Sequence, residues 1–287
     1  MNFRDNIEVS FIPGDILSAQ MLEETYRYPR EFLHLLHEGH SDGIISGLDF
    51  VSDNNGVCLT AGIVKHGSKY YILPSDVNLD EWLKRYEPPL QESVEYFLEL
   101  VSEEVSEPSD LYPSIKSAKR LILKAEREKT ADSIILGKYK FRSDKGICIP
   151  TLQSDPKKPF DEFTRPGLFQ ILFCEYAHSS GETTYHPLVF RAIKQYLEKK
   201  SALSPHEFAL LSEIQNHGIV AISTLRSYAS INKKVSLSEL KTLTREKLFQ
   251  EVVECVQKPY IPMVYVEGQT IDAQQDENKR TRHSKLL

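Results

Sequence analysis

The sequence lacks the features that mark several large classes of protein. Its 287 residues include only four cysteines and no CxxC pair, so we expect reduced thiols, without a disulfide framework or a zinc site. No apolar run approaches the roughly 18–20 residues of a membrane span. The N-terminal residues 1–5 also lack the apolar stretch that a signal peptide needs. These absences predict a cytoplasmic globular protein without direct membrane insertion.

Signals for binding phosphate or nucleic acid are equally scarce. The chain has 13 glycines and contains neither GxxxxGK[ST] nor GxGxxG, so we expect no nucleotide cofactor and no ATP-driven activity. Lys plus Arg number 35 and Asp plus Glu 41, which gives a net charge of −6. A dedicated nucleic-acid-binding protein usually shows a basic excess. The sequence therefore predicts no cofactor and no nucleic-acid partner.

The residues that are present predict an α+β fold in which a β-rich half precedes a helical half. Short strand-like runs separated by turns fill 43–73, and the strict alternation of apolar residues from Val94 to Leu100 makes 91–150 mostly β. Beyond a proline-containing linker at 155–159, four stretches have helical patterns: Pro166 to Ala177, Pro187 to Lys199, Pro205 to His217 and Ser236 to Gln257, the last starting with a capping box.

These patterns divide the chain into three parts. Residues 1–154 are predicted to form a β-sandwich, 155–260 a helical bundle, and 261–287 a largely disordered tail. Near the N-terminus, a helical pattern begins at Ser18. Because proline disfavours helix in the residue before it, Pro29 is expected to break this pattern and to leave a second short helix over 30–37.

The sharpest candidate for catalysis is the GHSDG motif at 39–43. In hydrolases, G-x-S-x-G forms a nucleophile elbow in which a strand precedes the serine and a helix follows it. Here a predicted helix precedes Ser41 and a predicted strand follows it, so the order is inverted. A helix-to-strand turn is the favoured interpretation, and a serine hydrolase that uses Ser41 is kept as an alternative.

Two further groups of residues have spacings that could suit a metal-binding or reactive site. His34, His37 and His40 have i, i+3, i+6 spacing, which could place two imidazoles on one helical face, but they lack a neighbouring set of ligands. Cys174 and His178 lie one helical turn apart among large apolar residues, which predicts a buried, inert thiol. We therefore expect no metal site and no catalytic residue.

A second alternative is a helical regulator that binds nucleic acid. It interprets 204–256 as helix-turn-helix-like and assigns phosphate contacts to a basic tail. The tail carries Lys279, Arg280, Arg282 and Lys285. A basic tail alone usually serves only for solubility.

Three consecutive strand-like segments carry a family resemblance. GIISGLDF at 43–50, CLTAGIVK at 58–65 and KYYILP at 69–74 resemble the attachment domains of phage tail fibres and baseplate proteins, and the fuller pattern resembles TssK-like baseplate proteins of contractile injection systems. Supporting segments are YPREFL at 28–33, LGKYKF at 136–141 and PGLFQILFCEYA at 166–177. The resemblance covers residues 10 to 255.

The resemblance implies a non-enzymatic structural adaptor of a type VI secretion or phage tail baseplate. Proteins of this kind pair a β-sandwich shoulder with a helical bundle and assemble as homotrimers, and the shoulder docks on wedge proteins. The chain is shorter than TssK proteins and is expected to lack their receptor-like head. A separate receptor-binding or membrane-anchoring protein is then a further partner. The adaptor would work in the cytoplasm, or in the virion if a phage encodes it.

Within this interpretation, two sets of residues are singled out. We expect the segment before the first strand to anchor the wedge, through Tyr26, Tyr28, Pro29, Phe32 and Leu36. The structural motif of the first strand consists of Gly43, Ile44, Ile45, Ser46, Gly47 and Leu48.

Overall fold

The computed structural model of the chain contains both antiparallel sheets and helices, which confirms the α+β class. It describes residues 18–53, 56–87, 89–105, 118–150, 160–165, 167–260, 264–266 and 269–271. For 19–26, 28, 53, 105, 118–120, 264–266 and 269–271 it describes the backbone alone.

The chain forms two compact units, each defined by the contacts among its own residues. The sheet-rich unit comprises Met1–His186 with Val220–Ile222, and the helical unit comprises Pro187–Ile219 with Ser223–Leu287. The contact boundary thus follows His186, whereas the sequence patterns place a domain boundary after residue 154. The difference arises because the segment before His186 forms β-bridges with the preceding strands.

The sheet-rich unit begins with a long helix and continues with three small sheets. Each sheet is antiparallel and three-stranded, in the orders β1-β4-β5, β2-β3-β6 and β8-β7-β9. The face-to-face packing of a sandwich stays a prediction. The elements are α1 (Ala19–His37), β1 (Gly43–Gly47), β2 (Phe50–Asp53), β3 (Gly56–Leu59), β4 (Gly62–His66), β5 (Lys69–Leu73), β6 (Val77–Asn78), α2 (Leu79–Arg85), β7 (Glu95–Val105), β8 (Ala118–Glu126), β9 (Ser133–Lys140), α3 (Asp161–Thr164) and a 3₁₀ turn (Ile171–Phe173).

The predicted break at Tyr28-Pro29 is wrong, because α1 runs as one helix from Ala19 to His37 with Pro29 inside it. Proline costs an interior helix one N–H donor and crowds the carbonyl four residues earlier. The apolar residues on both sides of Pro29 keep helical spacing, and the helix continues through it. The local cost of Pro29 is therefore too small to end α1.

The helix predicted over Pro166 to Ala177 is also wrong. In the described residues of this segment, 167–177, the only helix is the short 3₁₀ turn, and the backbone bonds to distant strands. The amide of Gln170 donates to the carbonyl of Lys138 at 2.8 Å, and that of Ala177 donates to the carbonyl of Ile44 at 2.9 Å. A short segment that is buried on all sides has no reliable period, so its sequence cannot separate helix from extended chain.

The helical unit follows the predicted pattern more closely. It contains α4 (Pro187–Glu198), α5 (Pro205–His217), α6 (Ile222–Lys233), α7 (Leu237–Lys241), α8 (Arg245–Gln257) and a hairpin of β10 (Val264–Val266) and β11 (Gln269–Ile271). The helix predicted over Ser236 to Gln257 is two helices, since the side chain of Thr244 accepts the amide of Lys247 and starts α8.

Two sequence expectations concern the C-terminal end of the chain and its helices. The range 261–287, expected to be largely disordered, includes the β10–β11 hairpin. The four basic residues of the tail lie outside the described residues. Among the described helices, none is both long and apolar enough to cross a bilayer.

Candidate docking surface

Among the described residues of the sheet-rich unit, α1 carries an exposed apolar face. Phe32 is 53%, Leu35 71% and Leu36 56% exposed. Their i, i+3, i+4 spacing places them on one side of the helix. We call these three residues the α1 apolar face. Exposed apolar side chains grouped in this way are typical of surfaces that bind another protein.

The residues predicted to bind a partner lie on the same helix. Pro29, Phe32 and Leu36 are all exposed on α1. The side chains of Tyr26 and Tyr28 lie outside the described residues. Leu35, the most exposed member of the apolar face, was missed, although its position three residues after Phe32 on a helix could have identified it.

A buried lysine fixes the C-terminal end of α1 to the first sheet. Lys65, on β4, is buried, and its Nζ donates to the carbonyl oxygens of His37 at 3.0 Å and Glu38 at 3.2 Å, and to that of His40. The carbonyl oxygen of His37, the last residue of α1, also accepts the amide of His40 at 3.0 Å, and the negative end of the helix dipole favours a cation there. Lys65 therefore positions the α1 apolar face relative to the sheet.

Two of the three spaced histidines lie beside this lysine. The rings of His37 and His40 meet edge to face, with centroids 4.8 Å apart. Burial lowers the pKa of both imidazoles, and the positive charge of Lys65 lowers each further. Neutral imidazoles can coexist with the buried ammonium without repulsion. Within the described part of the chain, no group of three His, Cys, Asp or Glu side chains is arranged to hold a metal ion.

A groove of about 990 Å³ separates α1 from the hairpin strand β5. Its α1 side includes Leu33, His34 and Leu35, and its other side is formed by 68–72. Ile72 on β5 is 66% exposed and lines it. Burial raises the pKa of the Tyr70 hydroxyl, which has no hydrogen-bond partner among the described residues. We call this feature the α1–β5 groove.

The GHSDG motif is a turn between α1 and β1, as the sequence order favoured. Ser41 is buried, and its Oγ accepts the backbone amide of His178 at 3.1 Å. Its own amide donates to the carbonyl oxygen of His178, also at 3.1 Å. Asp42 accepts the amide of Gly67 at 2.9 Å. The serine and the aspartate of the motif thus bond to backbone groups and close the turn.

Both glycines of the first-strand motif lie where the backbone leaves no room for a side chain. Gly43 has φ +141°, and a Cβ there would lie 2.7 Å from the carbonyl oxygen of Glu175. Gly47 has φ +67°, and a Cβ there would lie 2.1 Å from the carbonyl oxygen of Ala61. Ile44 and Leu48 are buried in the core, and Ile45 and Ser46 occupy a β-bulge. The motif therefore specifies close backbone packing.

The sheet-rich unit also contains a buried carboxylate that the sequence did not reveal. Glu99 on β7 is fully buried and accepts the amide of Thr130 at 3.2 Å and the hydroxyl of Ser133 at 2.8 Å. The Thr130 hydroxyl donates to it as well. Cys174 is buried, as expected. Because Glu99 is enclosed by these donors, it has a structural role in joining β7 to the turn before β9.

No protein-family model and no curated protein matches the chain. Among solved structures, it is similar to a crystal structure of TssK at 12% identity and a TM-score of 0.36, over 92% of this chain and 75% of that one. It is also similar to a chain in the cryo-electron microscopy structure of a type VI secretion TssK–TssF–TssG baseplate subcomplex, at 10% identity and a TM-score of 0.35, over 88% and 100%. Likenesses this distant carry no argument about fold or function.

Proposed function

We propose that this protein is a non-enzymatic structural adaptor of a contractile-injection or phage tail baseplate, which docks on wedge proteins through the α1 apolar face. The observation that carries the proposal is the exposure of Phe32, Leu35 and Leu36 on a helix anchored at its C-terminal end. The strand motifs that resemble TssK-like proteins support the baseplate assignment.

The geometry of α1 favours docking of a protein over binding of a small molecule. Phe32 and Leu36 of the apolar face project outward from a helix, whereas sites for small molecules are concave. Large apolar anchors at the centre of an interface contribute most of its binding energy. We propose that Pro29, which is exposed on the same helix, belongs to this surface and that Tyr26 and Tyr28 contribute to docking as well.

The helical unit supplies a second proposed surface, for self-association as a homotrimer. Phe208, Ile231 and Leu237 are exposed there, although each is large and apolar. A cyclic trimer requires one surface to contact a different surface on the next copy. In the proposed baseplate, the assembled trimer lies in the cytoplasm or, if a phage encodes it, in the virion.

Capture of a purified TssF–TssG complex by the tagged full-length chain tests the docking proposal. Phe32→Asp with Leu36→Asp removes two apolar anchors, each worth about 2 kcal/mol, so we expect Kd to rise by roughly 1,000-fold. Arg30→Asp with His34→Asp is the matched control, since it introduces the same residues at the same spacing on the opposite side of α1. Equal binding by both variants would contradict the proposal.

A further inference from the structure

The α1–β5 groove runs along a sheet edge. In the order β1-β4-β5, β5 pairs with β4 on one side, and no described strand pairs with its other side. Five consecutive residues, 68–72, line the groove. Because successive side chains of a strand point to opposite faces, a groove that all of them line extends to the edge of the strand. The groove therefore gives access to the backbone of β5.

The register of the β4–β5 hairpin identifies the backbone groups at this edge. His66 pairs with Lys69 across a two-residue turn. Residues that flank such a turn exchange both hydrogen bonds, and the pattern then alternates along the antiparallel pair. The amides of Lys69 and Tyr71 therefore bond to β4. The N–H and C=O groups of Tyr70 and Ile72 point away from β4, to the edge.

Positive charge predominates on the walls of the groove. Arg30 of α1 and Lys69 of β5 line it, and no ion pair joins either of them to another described residue. The carboxylate of Glu31 also lines the groove, but it lies 3.4 Å from the Nε of Arg27, one turn earlier on the same helix. Glu38, after the end of α1, is not a lining residue. The groove thus carries two uncompensated cations on a chain whose net charge is −6.

Apolar side chains complete the lining of the groove. Ile72 of β5 is 66% exposed and Leu35 of α1 is 71% exposed, and the half-buried Leu33 lies beside them in the lining. A segment in the groove would cover these side chains while its backbone pairs with β5. A nucleic acid or a small anion could use the cations, but only a polypeptide can continue the hydrogen-bonded ladder of a strand.

We propose that the α1–β5 groove binds an extended, acidic segment of another protein, which adds as a fourth strand beside β5. Carboxylates of the segment contact Arg30 and Lys69, and its apolar side chains cover the exposed leucine and isoleucine. Arg30 lies on the side of α1 opposite to Phe32 and Leu36, so this surface differs from the one assigned to the wedge. The proposal therefore stands independently of the baseplate assignment.

Binding of a fluorescent octapeptide, in which Glu and Val alternate, to the full-length chain tests the proposal by anisotropy. Arg30→Glu with Lys69→Glu reverses both cations, so we expect Kd to rise by roughly tenfold at low salt. The same variant should bind a peptide of alternating Lys and Val more tightly than the wild type does. Lys84→Glu with Arg127→Glu is the matched control, because it reverses two exposed cations outside the groove. It should leave Kd close to the wild-type value.

Methylation of peptide amides separates strand pairing from charge attraction and leaves the protein unaltered. In an added strand, the N–H groups of alternate residues point to β5 and the others point away from it. Methylation of one alternate set should therefore abolish binding, whereas methylation of the other set should leave Kd close to that of the unmodified peptide. Saturating peptide should also slow the hydrogen exchange of the Tyr70 and Ile72 amides by roughly 100-fold, and leave that of Tyr71 unchanged.

Each of five results would overturn the proposal. The first two are absence of peptide binding and an equal Kd for the wild type and the variant with both cations reversed. Equal effects of the two methylation patterns mean that no strand is added. Slow exchange of the Tyr70 and Ile72 amides in the free chain means that the edge is already covered. An oligothymidylate that displaces the peptide and binds more tightly identifies a nucleic acid as the ligand.

Discussion

The sheet-rich unit and the helical unit fix their elements differently, although both contain long-range polar contacts, such as those of Lys200 in the helical unit, which donates to the carbonyl oxygens of Val256 and Lys258. In the former, polar side chains join residues far apart in sequence: Asp80 accepts the amides of Val57 and Ile147, and Glu99 holds the turn before β9. In the latter, helices start at local caps, such as the reciprocal capping box of Ser204 and Glu207. One lost side chain should therefore disturb more of the structure in the sheet-rich unit.

The two units also expose apolar residues in different arrangements. On α1 they form one row, whereas in the helical unit they come from α5, α6 and α7. A single row on one helix suits a groove in a partner. Side chains from several helices suit a broad interface between copies. The proposed roles of wedge docking and self-association follow this difference.

The largest expected effect is a change in the mass of the oligomer, which distinguishes the two proposed surfaces. Native mass spectrometry of the wild type should give a trimer of 3 × 32.9 = 98.7 kDa. Phe208→Asp with Ile231→Asp should shift it to the monomer at 32.9 kDa, because the charges cannot be buried between copies. Phe32→Asp with Leu36→Asp should leave the trimer intact. A monomeric wild type would remove the self-association proposal.

The next effect tests the long-range contacts of the sheet-rich unit. Glu99→Ala removes the buried carboxylate that accepts the amide and hydroxyl of Thr130 and the hydroxyl of Ser133, and it leaves a cavity, so we expect a loss of about 2–4 kcal/mol in the free energy of unfolding. Glu104→Ala, at an exposed position of the same strand, should change it by less than about 0.5 kcal/mol. The fluorescence of Trp82, the single tryptophan of the chain, reports unfolding of this unit in urea. Similar losses in both variants would refute the role given to Glu99.

The smallest effect is a pH dependence near α1. Because folding lowers the pKa of His37 and His40, the unfolded chain binds more protons than the folded chain. The contribution of these two histidines to stability is fully present above the unfolded pKa of about 6.5. It is lost as the pH falls through their lower folded pKa values. His37→Gln with His40→Gln should flatten this fall in urea titrations between about pH 7 and 5. His34→Gln, an exposed histidine of the same helix, is the control. An unchanged slope in the double variant would contradict this interpretation.

Prediction from sequence succeeds where residues near in sequence determine the structure and fails where distant residues do. Helix α5 is predicted from Pro205 to His217 as observed, since Ser204, Pro205 and Gly218 mark its ends locally. The strands of 43–73 and 91–140 are predicted by alternation and turns. The segment before His186 is wrongly assigned because distant strands determine its conformation.

The candidate site is predictable in part for the same reason. Pro29, Phe32 and Leu36 are chosen from their position before the first strand, and all three are exposed on α1. Lys65, which anchors that helix, lies 25 residues or more from the carbonyls that it contacts. No local pattern connects such a lysine with a helix end. The groove beside β5 likewise depends on tertiary packing.

Hydroxyl-radical footprinting of the chain with and without TssF–TssG tests the central claim most directly. Oxidation of exposed side chains can be compared at α1 and in the helical unit within one sample. The account predicts that binding protects Phe32, Leu35 and Leu36, while Phe208 keeps the reactivity that it has in the free chain. Unchanged oxidation of the α1 apolar face in the bound complex would contradict the account.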